Sequence, residues 1–525
     1  MVSTEPVTAG SGSDGSTSPP VGRGHDRVAR WTYGTGLAVI GLQFVGLLVL
    51  GFFTYHRFTV GKDFGIFNQA WSQIGSGHLY PYSTIRGVPF LKNHFELIMW
   101  PVALLYPIFH SASTLVVLQV LALVGTEMVA LTWVTALVRD SKLPSAWLVA
   151  ISAGTVILLL ASPGSYTTVV EDFHFEAFAT LFAVLAAYDL WSGRTRRMWV
   201  WLALCLLCGD IGGLYALGIG LSALVVRDRR RAGATVFVAG LAWTALISLL
   251  GANVGSNLST GYAYLAGRTT VPGGASGLWL VTKGTLLHPG RAVTVARPRI
   301  GASVRYLLNG GGIGAVTPWG FGVPLIVIGT SILQSSSIFI GLPYQNFVIL
   351  PFVTFGTAWM VVWLATRARM GHARTVAAVV GVVAVLVGVA TSAQRMHADV
   401  TFNASSGFVS AGDAAALGRA LAATPADAEV AAPLPTIGRF AQRRYAYLLG
   451  DPSGGTSASV PVRASTVVVV IDPTIDTAFL PAGVSDDLVH RLEHQGASVL
   501  VSTPGVTAVL WHPPPGTTTL HLVPR

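Results

Sequence analysis

Charge is what this chain has least of. Between Trp31 and Gln394 it holds only ten carboxylates, and over all 525 residues charged side chains make up 11% while apolar ones make up 52%. A soluble domain carries roughly 25% charged residues. That shortage, with a mean hydropathy of +0.60, excludes an ordinary soluble protein and indicates a polytopic membrane protein. Cysteine is almost absent: Cys205 and Cys208 stand as Cys-Leu-Leu-Cys in an apolar run. They read as small apolar residues on a helix face, and no disulfide or zinc site is implied. A basic face for nucleic acid is also missing. The net charge is +10, but most basic residues occupy loops beside apolar runs, where they set topology. No nucleic-acid partner is expected.

The few charges present are sorted by sign. Arginine clusters at Arg23 to Arg30, Arg139, Arg194 to Arg197, Arg227 to Arg231 and Arg367 to Arg374 fall together on one side of the apolar runs, the cytoplasmic side by the positive-inside rule. Asp63, Glu96, Glu171, Asp172, Glu176 and Asp210 fall on the other. Carboxylates beside a membrane are costly, and read as functional.

The apolar pattern predicts an all-α polytopic membrane bundle with a small C-terminal extracytoplasmic α/β domain. The bundle has about eleven spans, or about nine if a pair between 305 and 343 only dips in. Residues 1–30 form a disordered cytoplasmic tail, 31–393 the membrane domain and 394–525 the outer domain. Gly34 to Phe53 is the first span, Phe95 to Phe109 a helix in the interface, and Ser162 to Phe175 an outer loop. Met198 to Val226 lies between two arginine clusters with only about 29 residues, where two full spans need about 40. A hairpin of two short helices, tipped by Gly209-Asp210-Ile211-Gly212-Gly213, meets both constraints, since non-helical backbone at membrane depth must face protein or a water-filled cavity. After Gln394, a helical run from Ser410 to Ala422 alternates with strands such as Thr466 to Ile471. Val499 to Ser502 and Val506 to Trp511 flank Thr503-Pro504-Gly505 as a hairpin.

Three outer segments could carry chemistry. The first contains Gly61-Lys62-Asp63-Phe64-Gly65-Ile66-Phe67-Asn68-Gln69-Ala70-Trp71 and, further on, Arg86 and Asn93-His94-Phe95-Glu96. Asp63 could face a substrate whose lipid part stays in the bilayer, or cap the helix that follows. Arg86 could hold a phosphate by a bidentate fork. The second segment, Glu171-Asp172-Phe173-His174-Phe175-Glu176, could bind a divalent metal through Asp172 and His174 or use the pair as acid and base. Glu176 could instead serve the next helix dipole, and both histidines have an ordinary interfacial reading. The third is Asp210 at the hairpin tip. No further cofactor is implied.

These segments, in this order, resemble a bacterial family of multi-pass membrane proteins catalogued as domain of unknown function 2079. The family's Asp-Leu-Gly-Ile-Phe-Asp-Gln-Ala-Leu-Trp-like motif corresponds to Asp63-Phe64-Gly65-Ile66-Phe67-Asn68-Gln69-Ala70-Trp71, its Asp-His-Phe-like motif to Asn93-His94-Phe95, and its Asp-Phe-His-Pro-Glu-like motif to Asp172-Phe173-His174-Phe175-Glu176. The likeness continues through Leu307 to Gln334 and into the outer domain. The chain departs where Gly209-Asp210 replaces Lys-Glu and Pro343-Tyr344 replaces His-Tyr. That family looks like the integral-membrane glycosyltransferases of the C-type fold, which carry a catalytic acid in the first outer loop and use a lipid-phosphate-linked sugar.

The resemblance implies a plasma-membrane enzyme moving a sugar from a polyprenyl-phosphate donor to a cell-envelope acceptor. Asp63 would be the base. Asp172, His174 and Asp210 would join it at the catalytic site, and Arg86, His94, Glu96 and Tyr344 would contact substrate. The alternatives are a transporter or flippase of a lipid-linked envelope precursor, since broken helices also suit transporters, and a non-catalytic envelope scaffold.

Overall fold

The computed structural model describes residues 21–250, 257–336, 343–367, 371–405, 409–450, 459–472 and 484–522. Of the expected disordered tail, residues 1–20 lie outside the described residues, and from Val21 the chain is already helical. The first half runs as α1 (Val21–His56), α2 (Lys62–Gly75), an antiparallel ribbon of β1 (Tyr82–Ser83) and β2 (Val88–Pro89), and two short helices, α3 (Phe90–Asn93) and α4 (Met99–Ala103). Then come α5 (Ser113–Asp140), α6 (Ser145–Ala161), α7 (Pro163–Glu171), α8 (Glu176–Trp191), α9 (Thr195–Leu207), α10 (Asp210–Leu224) and α11 (Arg230–Leu249). The second half of the membrane domain contains α12 (Gly274–Leu287), α13 (Pro289–Ala296), α14 (Ile300–Asn309), α15 (Gly322–Ile332), α16 (Pro343–Asn346), α17 (Ile349–Arg367) and α18 (Gly371–Ser405).

Six helices among the described residues are long and apolar enough to cross a membrane, and Asp210–Leu224 and Gly322–Ile332 are shorter apolar helices. The chain breaks its apolar runs more often than hydropathy alone suggests. The outer loop expected from Ser162 to Phe175 is mostly helix: Ser162 accepts a hydrogen bond from the Gly164 N–H at the N-cap and Pro163 takes the first helical position, so α7 begins at once and only residues 172–175 remain as loop. The interfacial helix expected at Phe95 to Phe109 shrinks to α4 followed by turns. The domain boundaries expected at 31 and 394 fall inside α1 and α18.

The predicted hairpin is present. α9 ends at Leu207 and α10 starts at Asp210, with Gly209 at φ +98° making the corner, a conformation that costs glycine least. α10 and α11 then pack backbone to backbone, since a side chain at Gly220 would lie 2.5 Å from the Phe237 nitrogen. Small residues allow this approach where no hydrophobic effect draws helices together.

The C-terminal unit contains α19 (Ala411–Ala423), β3 (Glu429–Pro433), α20 (Ile437–Phe440), β4 (Ala446–Leu449), β5 (Ser459–Pro461), β6 (Val467–Ile471), α21 (Val484–His494), β7 (Ser498–Ser502), β8 (Thr507–Trp511) and β9 (Thr519–His521). Five strands form one sheet in the order β4-β3-β6-β8-β7. β3 is parallel to β4 and β6, while β8 is antiparallel to β6 and β7. β3 and β6 are buried along their whole length, as the all-apolar run Val467 to Ile471 requires of a central strand. The buried core runs without a break from the membrane helices through α2 into this sheet.

Candidate acidic site at the end of the bundle

The acids reach one place because helix ends bring them there. α1 delivers the chain to α2, α7 ends at Glu171, α8 starts at Glu176 and α10 starts at Asp210, all at the end of the bundle opposite the arginine clusters. Asp63 lies in the first turn of α2 and is half-buried. It does not cap the helix. That work falls to Asp172, whose Oδ1 accepts from the Gly61 N–H at 2.7 Å, with the backbone N–H groups of Asp63 and Phe64 also within hydrogen-bonding reach of this carboxylate. A carboxylate at a helix N-terminus satisfies orphan amides and complements the dipole. Burial and the neighbouring Asp63 push the Asp172 carboxyl up, while those backbone amides pull it back.

The loop bearing Asp172 and His174 is held by a residue that the sequence reading missed. Gln119, buried on α5, donates from Nε2 to the carbonyls of Thr168 at 2.8 Å and Asp172 at 3.0 Å, and its Oε1 accepts from the His174 N–H at 3.3 Å. His174 is buried and lies flat on the Tyr344 ring, with centroids 3.6 Å apart and planes 9° from parallel; its Nδ1 is 3.8 Å from Glu176 Oε2. Burial holds this imidazole down at about 4, so it is neutral at physiological pH.

His94 behaves oppositely. Its Nδ1 lies 3.5 Å from Glu96 Oε1, and its ring packs against Phe67 with centroids 4.8 Å apart. Burial pulls its pKa down, but Glu96, Asp63 and Glu176 outweigh that and the net shift is upward. Glu96 is raised by burial against the pull of His94, and it also feels Asp210 and Asp63. The hairpin tip completes the group: the Ile98 N–H donates to the Leu207 carbonyl at 2.9 Å, Trp243 Nε1 donates to the Gly209 carbonyl at 3.0 Å, and a side chain at Gly209 would touch Glu96 Cγ. Asp210 is exposed at this tip.

Asp63, His94, Glu96, Asp172, His174, Asp210 and Tyr344 thus share one neighbourhood, together with Glu176. Arg86 stands apart, exposed in the turn between β1 and β2. Among the described residues, no three His, Cys, Asp or Glu side chains converge as ligands for one metal ion, so the geometry does not assemble a metal centre from Asp172 and His174. The arrangement can accept and relay protons, through one neutral histidine, one histidine biased towards the cation, and carboxylates held by histidines and backbone amides.

The middle of α2 holds the C-terminal domain. Asn68 Nδ2 donates to the Gly438 carbonyl at 2.9 Å, and Gln69 Nε2 donates to Thr84 Oγ1 at 2.8 Å and to the Arg444 carbonyl at 3.0 Å. Thr84 Oγ1 bonds in turn with Ala446. Asn68 and Gln69 therefore lock the C-terminal domain onto the site-bearing helix.

A family model described as "Predicted membrane protein (DUF2079)" matches residues 55–458. The chain belongs to the DUF2079 family. Its matched region starts just before α2 and takes in the whole acidic neighbourhood. No curated protein matches the chain. Among solved structures it is similar to ArnT from Cupriavidus metallidurans bound to undecaprenyl phosphate, with 14% identity and a TM-score of 0.40, covering 89% of this chain and 97% of that one. The apo form of ArnT gives a TM-score of 0.35 with the same identity and coverage. A likeness this distant carries no functional argument.

Proposed function

We propose that this DUF2079 protein is a glycosyltransferase of the bacterial plasma membrane, which moves a sugar from a polyprenyl-phosphate donor to an envelope acceptor on the outer face. In this reading the N-terminus is cytoplasmic and the C-terminal domain extracytoplasmic. The short helices join the six long ones in a bundle of nine or eleven crossings. The observation that carries the reading is Asp63: a half-buried carboxylate whose helix is capped by another residue, beside one histidine held neutral by burial and one whose pKa is raised by neighbouring acids.

Asp63 acts as general base. It takes the proton of the acceptor hydroxyl as that oxygen bonds to the anomeric carbon, and the bond from that carbon to the phosphate oxygen breaks, releasing polyprenyl phosphate. His94 and Glu96 hold the charge balance beside Asp63, and Asp210 and Tyr344 line the acceptor side. Asp172 and His174 support the chemistry through α2 and the 172–175 loop. Arg86, exposed at its turn, would meet the donor phosphate only at the rim. The test is release of free polyprenyl phosphate from a panel of synthetic polyprenyl-phosphate pentoses and hexoses by the purified chain, with a cell-envelope fraction supplied as acceptor. Asp63→Asn should lower release about 10²- to 10⁴-fold with an unchanged melting temperature; full activity in that variant would overturn the assignment.

A further inference from the structure

A second site lies where the first outer segment meets the C-terminal domain. A cavity of about 330 Å³ opens there, lined by Gln73, Tyr82 and Tyr106 on one wall and Arg444, Tyr445 and Arg463 on the other. No carboxylate is among its described lining residues. Arg444 and Arg463 come from different loops, yet both guanidinium groups stack on the one Tyr445 ring, at 5.2 and 5.5 Å from its centroid, and both are exposed. Arg443 differs: its guanidinium is spent on the carbonyls of Phe440, Pro425 and Ala428. Two preorganised cations therefore face open space with no carboxylate in the lining, the acid next to Arg463, buried Glu429, being held by the Arg463 backbone N–H at 2.8 Å.

The lip of this cavity is apolar. Leu104 and Ile108, on either side of the lining residue Tyr106, are 76% and 70% exposed, and Leu79 and Phe109 are exposed beside them. Trp100 Nε1 donates to the Leu79 carbonyl at 3.2 Å, which ties the two parts of the lip together. Gln442, also in the lining, donates to the His110 carbonyl and fixes the lip to the arginine wall. Exposed leucine, isoleucine and phenylalanine next to tyrosine and arginine match a membrane interface, where apolar side chains enter the acyl region and cations meet phosphate.

We propose that this seam binds the phosphate headgroup of an anionic bilayer phospholipid, with Arg444 and Arg463 on the phosphate and the acyl chains over Leu79, Leu104, Ile108 and Phe109. A bulk lipid is favoured over a scarce carrier by mass action. The site is separate from Asp63, and its occupancy does not depend on transfer.

The full chain, stripped of lipid in a neutral detergent, is titrated with short-chain phosphatidylglycerol, short-chain phosphatidylcholine or inorganic phosphate, and its melting temperature is followed. Phosphatidylglycerol should raise it and the other two should not. The double variant R444Q/R463Q should weaken the apparent affinity by about tenfold or more, L104Q/I108Q should also weaken it, and R419Q, an exposed arginine on α19, should leave it unchanged. An unaltered response in R444Q/R463Q, an equal response to phosphatidylcholine, or a full response to inorganic phosphate alone would each overturn the proposal.

Discussion

The two ends of the membrane bundle treat their carboxylates differently. At the arginine-bearing end Asp189 is fully buried, with Arg194 Nε at 2.7 Å, Arg197 Nε at 3.3 Å and Trp201 Nε1 donating at 3.0 Å. Two arginines and a tryptophan converge on this one carboxylate, and the pairing welds α8 to α9. At the opposite end Glu96 and Glu176 face histidines, Asp172 takes backbone amides, and Asp63 and Asp210 stay partly or largely open. An arginine fixes a carboxylate as an anion because it does not give up its proton, whereas a histidine leaves the protonation state adjustable. One end pairs its carboxylate with arginines, and the other leaves its carboxylates beside groups whose protonation can change.

Substitutions at the two ends should therefore separate activity from stability. Asp63→Asn has the largest expected effect, the loss of transfer stated above without a shift in melting temperature. Asp189→Ala should do the reverse, destabilising by about 2–3 kcal/mol by leaving the arginines unpaired, a cost reduced because both reach solvent; calorimetry with a transfer assay on the surviving fold reads both quantities. If Asp189→Ala abolished transfer at unchanged stability, the contrast between the ends would fail.

Asp172 sharpens the comparison because it sits at the open end yet serves as a cap. Asp172→Ala should cost about 1–2 kcal/mol and slow transfer through a displaced Asp63, while Asp172→Asn, which keeps an acceptor oxygen, should recover most of both. A dead but fully stable Asp172→Asn would instead make this carboxylate a direct participant.

The smallest effects are in the pH dependence of stability, and the two histidines give it opposite signs. His94 is raised above 6.5 in the fold, so its contribution is complete below the unfolded value and is lost as pH rises through the folded one. His174 is lowered from 6.5 to about 4, so stability falls as pH drops across that window, where the unfolded chain takes up a proton that the folded chain refuses. His94→Gln should flatten the alkaline side of a melting-temperature profile, and His174→Gln the acidic side. Matching slopes from the two variants would contradict the environments described.

Much of this was readable in the sequence because it follows from local pattern. The arginine clusters, the length deficit between Met198 and Val226, and the alternation of strands after Gln394 each have a short-range signature, and the hairpin with its corner at Gly209 follows from them. The Ser162-Pro163 pair also carries a helix-start signal, an N-cap serine followed by proline at the first helical position. What stayed hidden is long-range. Gln119 is an ordinary amide inside an apolar helix until the 172–175 loop reaches it. Asn68 donates to a carbonyl 370 residues away, and no periodicity announces such a partner. Asp172 looked like an acid for chemistry because the helix it caps lies more than a hundred residues earlier in the chain.

The position of α2 has a practical consequence. Its first turn carries Asp63, and its middle is stitched to the C-terminal domain through Asn68 and Gln69, so the domain and the acid are joined through one buried helix. Cutting the chain before Val409 would leave Asn68 and Gln69 without those partners and strip the roof from a helix whose residues from Phe64 to Ser72 are all buried. A truncated protein that lost activity would then report a ruined helix rather than a missing partner. The informative perturbation is a graded one, loosening a single stitch such as Gln69 and watching whether Asp63 feels it.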